Sequence, residues 1–231
     1  MKKSLLVLAV AVFLPLILKG KGQEEGRNIL HQFLSEKAPI LREYKASRQM
    51  EVRMSLGLKA SMEIETTLSN ERELQYHITH ESGSSLIRDQ LRALLEKEKE
   101  ATKENQYEKA AFSSLNYVFQ PQEETLGKLR FSTKPKKKEE LLIDGELFLN
   151  SLAELVSAEG KLIRSPSRSL RNVHVAIHYR QIAGIRLPHS MESKAQVVLK
   201  RILPVGQATL RVQYEYQSVN GIDVIEVIET Q

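Results

Sequence analysis

There is no cysteine among the 231 residues. That excludes disulfides, a thiol nucleophile and the lipid-attachment cysteine of a bacterial lipoprotein. Glycine-rich phosphate loops are lacking as well, and so is a Gly-x-Ser-x-Gly nucleophile elbow. Serines are plentiful, yet none sits in a nucleophile motif. The carboxylate pairs Glu123-Glu124 and Glu139-Glu140 fall in predicted turns, where solvated charge is the ordinary outcome. With no catalytic motif the chain reads as a non-enzyme, and no cofactor is expected.

A one-sided charge is also missing. The formal net charge is +5, but Lys2, Lys3, Lys19 and Lys21 crowd into the first 22 residues. Without them the balance is near +1, too little to argue for nucleic acid as a partner. The one dense basic run, Lys134-Pro135-Lys136-Lys137-Lys138, meets Glu139-Glu140 at once and reads as a solvated turn between strands. Its sharper reading is a transient contact with anionic lipid head groups at a membrane surface.

Histidine is sparse and badly spaced for a metal. His77-x-x-His80 lies at a strand end, and His174-x-x-x-His178 lies within a strand. Positions i and i+4 of a strand share a face but stand about 13 Å apart, too far to share one ion. No metal site is expected.

Long apolar runs occur only at the start. Met1-Lys2-Lys3-Ser4 is followed by apolar Leu5 to Leu18, then Lys19-Gly20-Lys21-Gly22. The run falls short of the ~20 residues that span a bilayer and suits the h-region of a signal peptide. Gly20 and Gly22 are small residues at −3 and −1 of a cut after Gly22. The segment 1–22 is therefore expected to be a signal peptide, and 23–231 one soluble β-rich domain in the periplasm or outside the cell. An uncleaved N-terminal anchor is the alternative.

What the remaining sequence has in quantity is alternation. Glu24 to Glu36 reads as a short amphipathic helix, with Ile29, Leu30, Phe33 and Leu34 on one stripe and Pro39 beyond its end. Then Tyr44, Ala46, Met50, Val52, Met54 and Leu56 fall on one parity, against Lys45, Ser47, Gln49, Glu51 and Arg53. Past Gly57 the period of two resumes through Leu58, Ala60, Met62, Ile64 and Leu68, and again through Leu74, Tyr76 and Ile78. Ser82-Gly83-Ser84 precedes the longest helix, near 84–104, with the stripe Leu86, Ile87, Leu91, Leu94 and Leu95. A short helical piece is expected near Tyr107, Ala110 and Ala111. From Ser113 onward strands return, with hairpin turns expected at Asp144-Gly145 and Asn220-Gly221.

The fold class is therefore mainly β (α+β). A curved antiparallel sheet or incomplete β-barrel is expected, with one long helix and a short N-terminal helix on its concave side. A β-sandwich is the competitor, but it does not explain one long amphipathic helix after three strands.

This order of elements resembles the bacterial lipoprotein-carrier superfamily, the LolA/LolB-like proteins. The residues carrying the resemblance are the first helix with Ile29, Leu30 and Phe33, and the alternating pair from Tyr44 to Leu68. To these are added the late segment Tyr179 to Pro188, with its Gly184-Ile-Arg-Leu187-Pro188 turn, and the closing Tyr214-Glu215-Tyr216. The resemblance implies an incomplete barrel plugged by helices, and acyl-chain binding without catalysis. Its best-known carriers use an arginine latch near the cavity mouth, and no arginine of this sequence matches it.

The expected function is a periplasmic binding protein for lipid or lipoprotein acyl chains. The expected apolar cavity is lined by Tyr44, Met50, Val52, Met54, Met62, Ile64, Leu74, Tyr76, Ile78, Leu91 and Leu94. Methionine adapts to irregular apolar ligands, and Met50, Met54 and Met62 share the inward parity, with Met191 in a late strand. The same pattern equally describes a filled core. Two rivals stay open: a regulatory or structural interaction module on the same scaffold, and a hydrolase whose dyad is assembled only by folding. For the leader the expected outcome is plain. N-terminal sequencing of exported protein should begin at Gln23 or within a few residues, and an intact Met1 on membrane-bound protein would favour the anchor.

Overall fold

The computed structural model describes residues 24, 26–36, 39–55, 57–105, 111–122, 128–137, 141–167, 169–199 and 203–224. The expected signal peptide, Leu56, Tyr107, Ala110, Glu123-Glu124 and Glu139-Glu140 lie outside the described residues.

Helix α1 covers 26–35, followed by β1 (Tyr44–Met54), β2 (Lys59–Leu68) and β3 (Leu74–Gly83). Helix α2 (Ser85–Lys103) interrupts the strands. Then come β4 (Tyr117–Pro121), β5 (Leu129–Pro135), β6 (Ile143–Leu149), β7 (Leu155–Leu162), β8 (Leu170–Ile182), β9 (Ile185–Leu199), β10 (Leu203–Val219) and β11 (Ile222–Asp223). The strands join in one antiparallel sheet ordered β3-β2-β1-β10-β9-β8-β7-β6-β5-β4, with β11 beside β10. The sheet curves but does not close, so the architecture is the incomplete barrel with helices that the alternation predicts.

Register explains where the core sits. Phe131, Leu147, Ala158, Ile177, Met191, Val212, Met50 and Met62 are successive cross-strand partners from β5 to β2. All eight are buried or half-buried. One apolar row thus crosses eight strands on a single face. Both helices pack on this row, α1 through Ile29 and Phe33 beside Phe131 and Leu147, and α2 through Leu91 and Leu95 beside Met50, Met62 and Val212. They therefore lie on the same, inner face and roof different halves of it. The opposite face is polar, with solvent-screened ion pairs such as Arg211–Glu192 and Lys194–Glu192.

Turn chemistry fits in most places. Asn220 and Gly221 both have positive φ and close the β10–β11 hairpin, as their sequence predicts. Ala183-Gly184 does the same between β8 and β9, where Ile182 faces Ile185. Asp144-Gly145 is a correction, because it is not a turn but part of β6. Gly145 faces Gly160 of β7, and a Cβ at Gly145 would stand 2.5 Å from the Gly160 Cα. The glycine is needed there for close approach of two strands, not for a hairpin.

Helix α2 also corrects its expected stripe. Ile87, Leu91 and Leu95 are buried at a spacing of four, whereas Leu86 is 65% exposed.

Candidate functional site

The inner face under α2 brings together most of the residues expected to line the apolar site. Met50, Met62, Ile64 and Leu91 are buried in one cluster with Leu95 and Val212. Val52, Tyr76, Ile78 and Leu94 pack around it half-buried, with Met191, Leu210 and Tyr214 added from β9 and β10. The remaining three go elsewhere. Tyr44 joins Ile185, Leu187 and Val219 in a neighbouring cluster, Leu74 is buried in β3, and Met54 is half-buried at the end of β1.

A charged residue lies inside this face. Arg48 shares the parity of Ala46 and Met50 and stands between Ile64 and Tyr214 in the register. It is 3% exposed. Its Nη1 donates to both carboxylate oxygens of Glu98 on α2 at 2.8 Å, and its Nη2 donates to the Tyr44 hydroxyl at 2.7 Å. The guanidinium also lies 5.0 Å from the Tyr214 ring centroid. Burial alone would lower the Arg48 pKa, but Glu98, Tyr44 and Tyr214 outweigh it and the pKa is raised. Arg48 is therefore a charged pin that ties the middle of the sheet to the C-terminal half of α2. Its signal in the sequence is an arginine on the apolar parity of β1.

The other polar ties of α2 lie at the rim. Arg88 and Arg92 both bind Glu81 of β3, and the Tyr76 hydroxyl donates to Glu96 at 2.6 Å. That hydrogen bond, with some burial, pushes the Tyr76 pKa up to about 12. Partly exposed pairs of this kind hold a helix weakly, at about 0–1 kcal/mol each. The Arg48–Glu98 pair is different, because breaking it strands a charge in the interior.

A second arginine faces the other helix. Arg186 of β9 lies 4.7 Å from the Phe33 ring of α1. Burial lowers its pKa, while Tyr179, Glu36 and Glu154 act in the opposite direction. Tyr179 of β8 and Tyr214 of β10 flank β9, and burial raises both hydroxyl pKa values. Arg48 lies over the Tyr214 ring, and Tyr179 pairs with Pro188, two residues along β9 from Arg186. The four residues form a polar belt linking the cluster under α2 to the one under α1. Tyr216 stacks beside Tyr214 and donates to the Pro188 carbonyl at 3.0 Å, which joins the late Tyr-x-Tyr segment to the Leu-Pro segment.

Elsewhere the surface carries an open depression of about 260 Å³ lined by Gly145, Glu146, Glu159, Gly160, His174, Val175 and Ala176. It lies over the glycine pair of β6 and β7, away from α2. Among the described residues no group of three or more His, Asp or Glu side chains is placed to hold a metal ion. No helix among them is long and apolar enough to cross a membrane.

The pin gives a mutational expectation. Glu98→Ala should lower unfolding free energy by about 3–5 kcal/mol, because it leaves the Arg48 charge buried and unpaired. Arg48→Met combined with Glu98→Met should recover most of that loss. Denaturant unfolding of the wild type, single and double variants checks both figures.

No family model matches the sequence, and no curated protein matches it. Solved structures similar to the chain include the following two. One is a LolA superfamily protein from Nitrosomonas europaea, at 12% identity and a TM-score of 0.40, covering 89% of this chain and 97% of that one. The other is a putative outer membrane lipoprotein-sorting protein domain from Vibrio parahaemolyticus, at 11% identity and a TM-score of 0.38, covering 86% of this chain and 93% of that one.

Proposed function

We propose that the segment 23–231 is a non-enzymatic periplasmic carrier that binds an acyl chain of a lipid or lipoprotein on the inner face of its sheet, in place of helix α2. The observation that carries this reading is the roof itself. Ile87, Leu91 and Leu95 cover the apolar cluster of Met50, Met62, Ile64 and Val212. Apart from one buried ion pair, the polar ties of α2 to the sheet are rim contacts. An acyl chain offers the same kind of apolar surface as the three helix side chains. Each CH₂ transferred from water is worth about 0.8 kcal/mol, so exchange of helix for chain needs no specific polar contact. Met50, Met62 and Met191 can repack around a chain of varying length. Helix opening must break Arg48–Glu98, which keeps the apolar face covered while it is empty.

The interaction-module reading is favoured by a different observation. Strands β3 and β4 are the two ends of the sheet order among the described residues. An open edge can pair with a strand of another protein.

A fluorescent fatty acid separates the two. Wild-type protein should bind it at one site, and Leu94→Asp, which places a carboxylate at the half-buried border of the cluster, should abolish binding while the chain stays folded. Absence of binding by the folded wild type would remove the carrier reading and leave the interaction module in the lead.

A further inference from the structure

Four arginines have an Nε that is buried and takes no hydrogen bond: Arg48, Arg88, Arg130 and Arg186. Three of them keep a carboxylate within ion-pair distance, Arg48 with Glu98, Arg88 with Glu81 and Arg130 with Glu146. Arg186 has no carboxylate within that distance among the described residues. Glu36 and Glu154 act on it only as more distant charges, and Glu154 accepts instead from the Asn150 side chain at 2.8 Å. What α1 presents to Arg186 is the Phe33 ring. Tyr179 of β8 pairs with Pro188, two residues along β9 from Arg186. It packs against the cluster of Phe33, Leu149 and Leu155, and its hydroxyl makes no hydrogen bond among the described residues.

The two inner-face arginines thus differ in one respect. At Arg48 the roof helix supplies an acid. At Arg186 the roof helix supplies only an aromatic ring, and a second donor, Tyr179, stands on the neighbouring strand. A half-buried guanidinium without a counter-charge is costly, and its fork geometry matches two oxygens of a carboxylate or phosphate. Arg186 is not sealed off, being only half-buried, so an anion can reach it from the rim.

We propose that Arg186 and Tyr179 bind the anionic head group, carboxylate or phosphate, of a single-tailed amphiphile whose tail runs past Tyr214 onto the apolar cluster under α2. This rests on the carrier reading and narrows it, since it makes the ligand an anionic amphiphile rather than any greasy chain. The belt from Arg186 through Tyr179 and Tyr214 to Arg48 then acts as a polar seam, with the head at one end and the Glu98 carboxylate of α2 at the other.

The test compares cis-parinaric acid with its methyl ester, which has the same tail and no charge. Wild-type protein should bind the acid about tenfold or more tightly than the ester, as expected for charge-assisted hydrogen bonds in a partly dry site. Arg186→Gln should bring the acid down to the affinity of the ester and leave the ester unchanged. Arg186→Lys, which keeps the charge and loses the fork, should fall between. Displacement of the probe by oleic acid or by lysophosphatidic acid at the lower concentration identifies the head as carboxylate or phosphate. Because Arg186→Gln removes an unpaired charge, its unfolding midpoint should not drop, so a folding failure of that variant speaks against the proposal. Equal binding of acid and ester by the wild type, or equal loss of both in Arg186→Gln, overturns the anion site and leaves the carrier reading standing. Binding of neither probe overturns both.

Discussion

An antiparallel sheet that curves without closing, and that is apolar on one face, must have that face covered. The packing of both helices follows from that constraint. The row from Phe131 to Met62 crosses eight strands and cannot be buried by the sheet itself. Two helices cover it, and they do so unequally. Helix α1 packs on the β5–β7 half through Ile29 and Phe33, where the cluster includes the fully buried Phe131, Leu147 and Leu149. Helix α2 packs near the open β3 edge and carries the polar ties.

The inner face is not uniformly greasy. Arg48, Tyr214, Tyr179 and Arg186 place hydroxyls and guanidinium groups along a belt between the two roofed halves. Buried charge of this kind adds little to net stability compared with apolar packing, yet it is severe about its partners. Glu98 on Arg48 sets the register of α2 on the sheet, because a shifted helix leaves the guanidinium without its carboxylate. The pair thus fixes how α2 sits, while Ile87, Leu91 and Leu95 contribute the apolar contact.

Much of this architecture was legible in the sequence, because the strands are wet on one face. Ala60, Met62, Ile64, Thr66 and Leu68 are all buried and the residues between them are not, which a period of two reports directly. The long helix was legible for the analogous reason, its Ile87, Leu91 and Leu95 falling on one stripe. What was missed depends on partners distant in sequence. Asp144-Gly145 carries a strong local turn preference, but Gly160 across the ladder decides its role. Arg48 looks like an interruption of an apolar pattern until Glu98, fifty residues later, is brought against it. Arg186 gives no local signal at all, since its environment is made by Phe33 and Tyr179 from two other elements. The clustering of Met50, Met62 and Ile64 follows from parity and Leu91 joins them from the stripe of α2, whereas Tyr44, at the first position of β1, packs with Ile185, Leu187 and Val219.

In a carrier of acyl chains, α2 is a roof that yields to the chain. Native-state hydrogen exchange with and without oleic acid tests this most directly. Amides of Ser85–Lys103 should exchange through an opening that costs less than global unfolding, and oleic acid should lower their protection while raising that of β1 and β2. Exchange of α2 only through global unfolding, with no change on adding oleic acid, would contradict it.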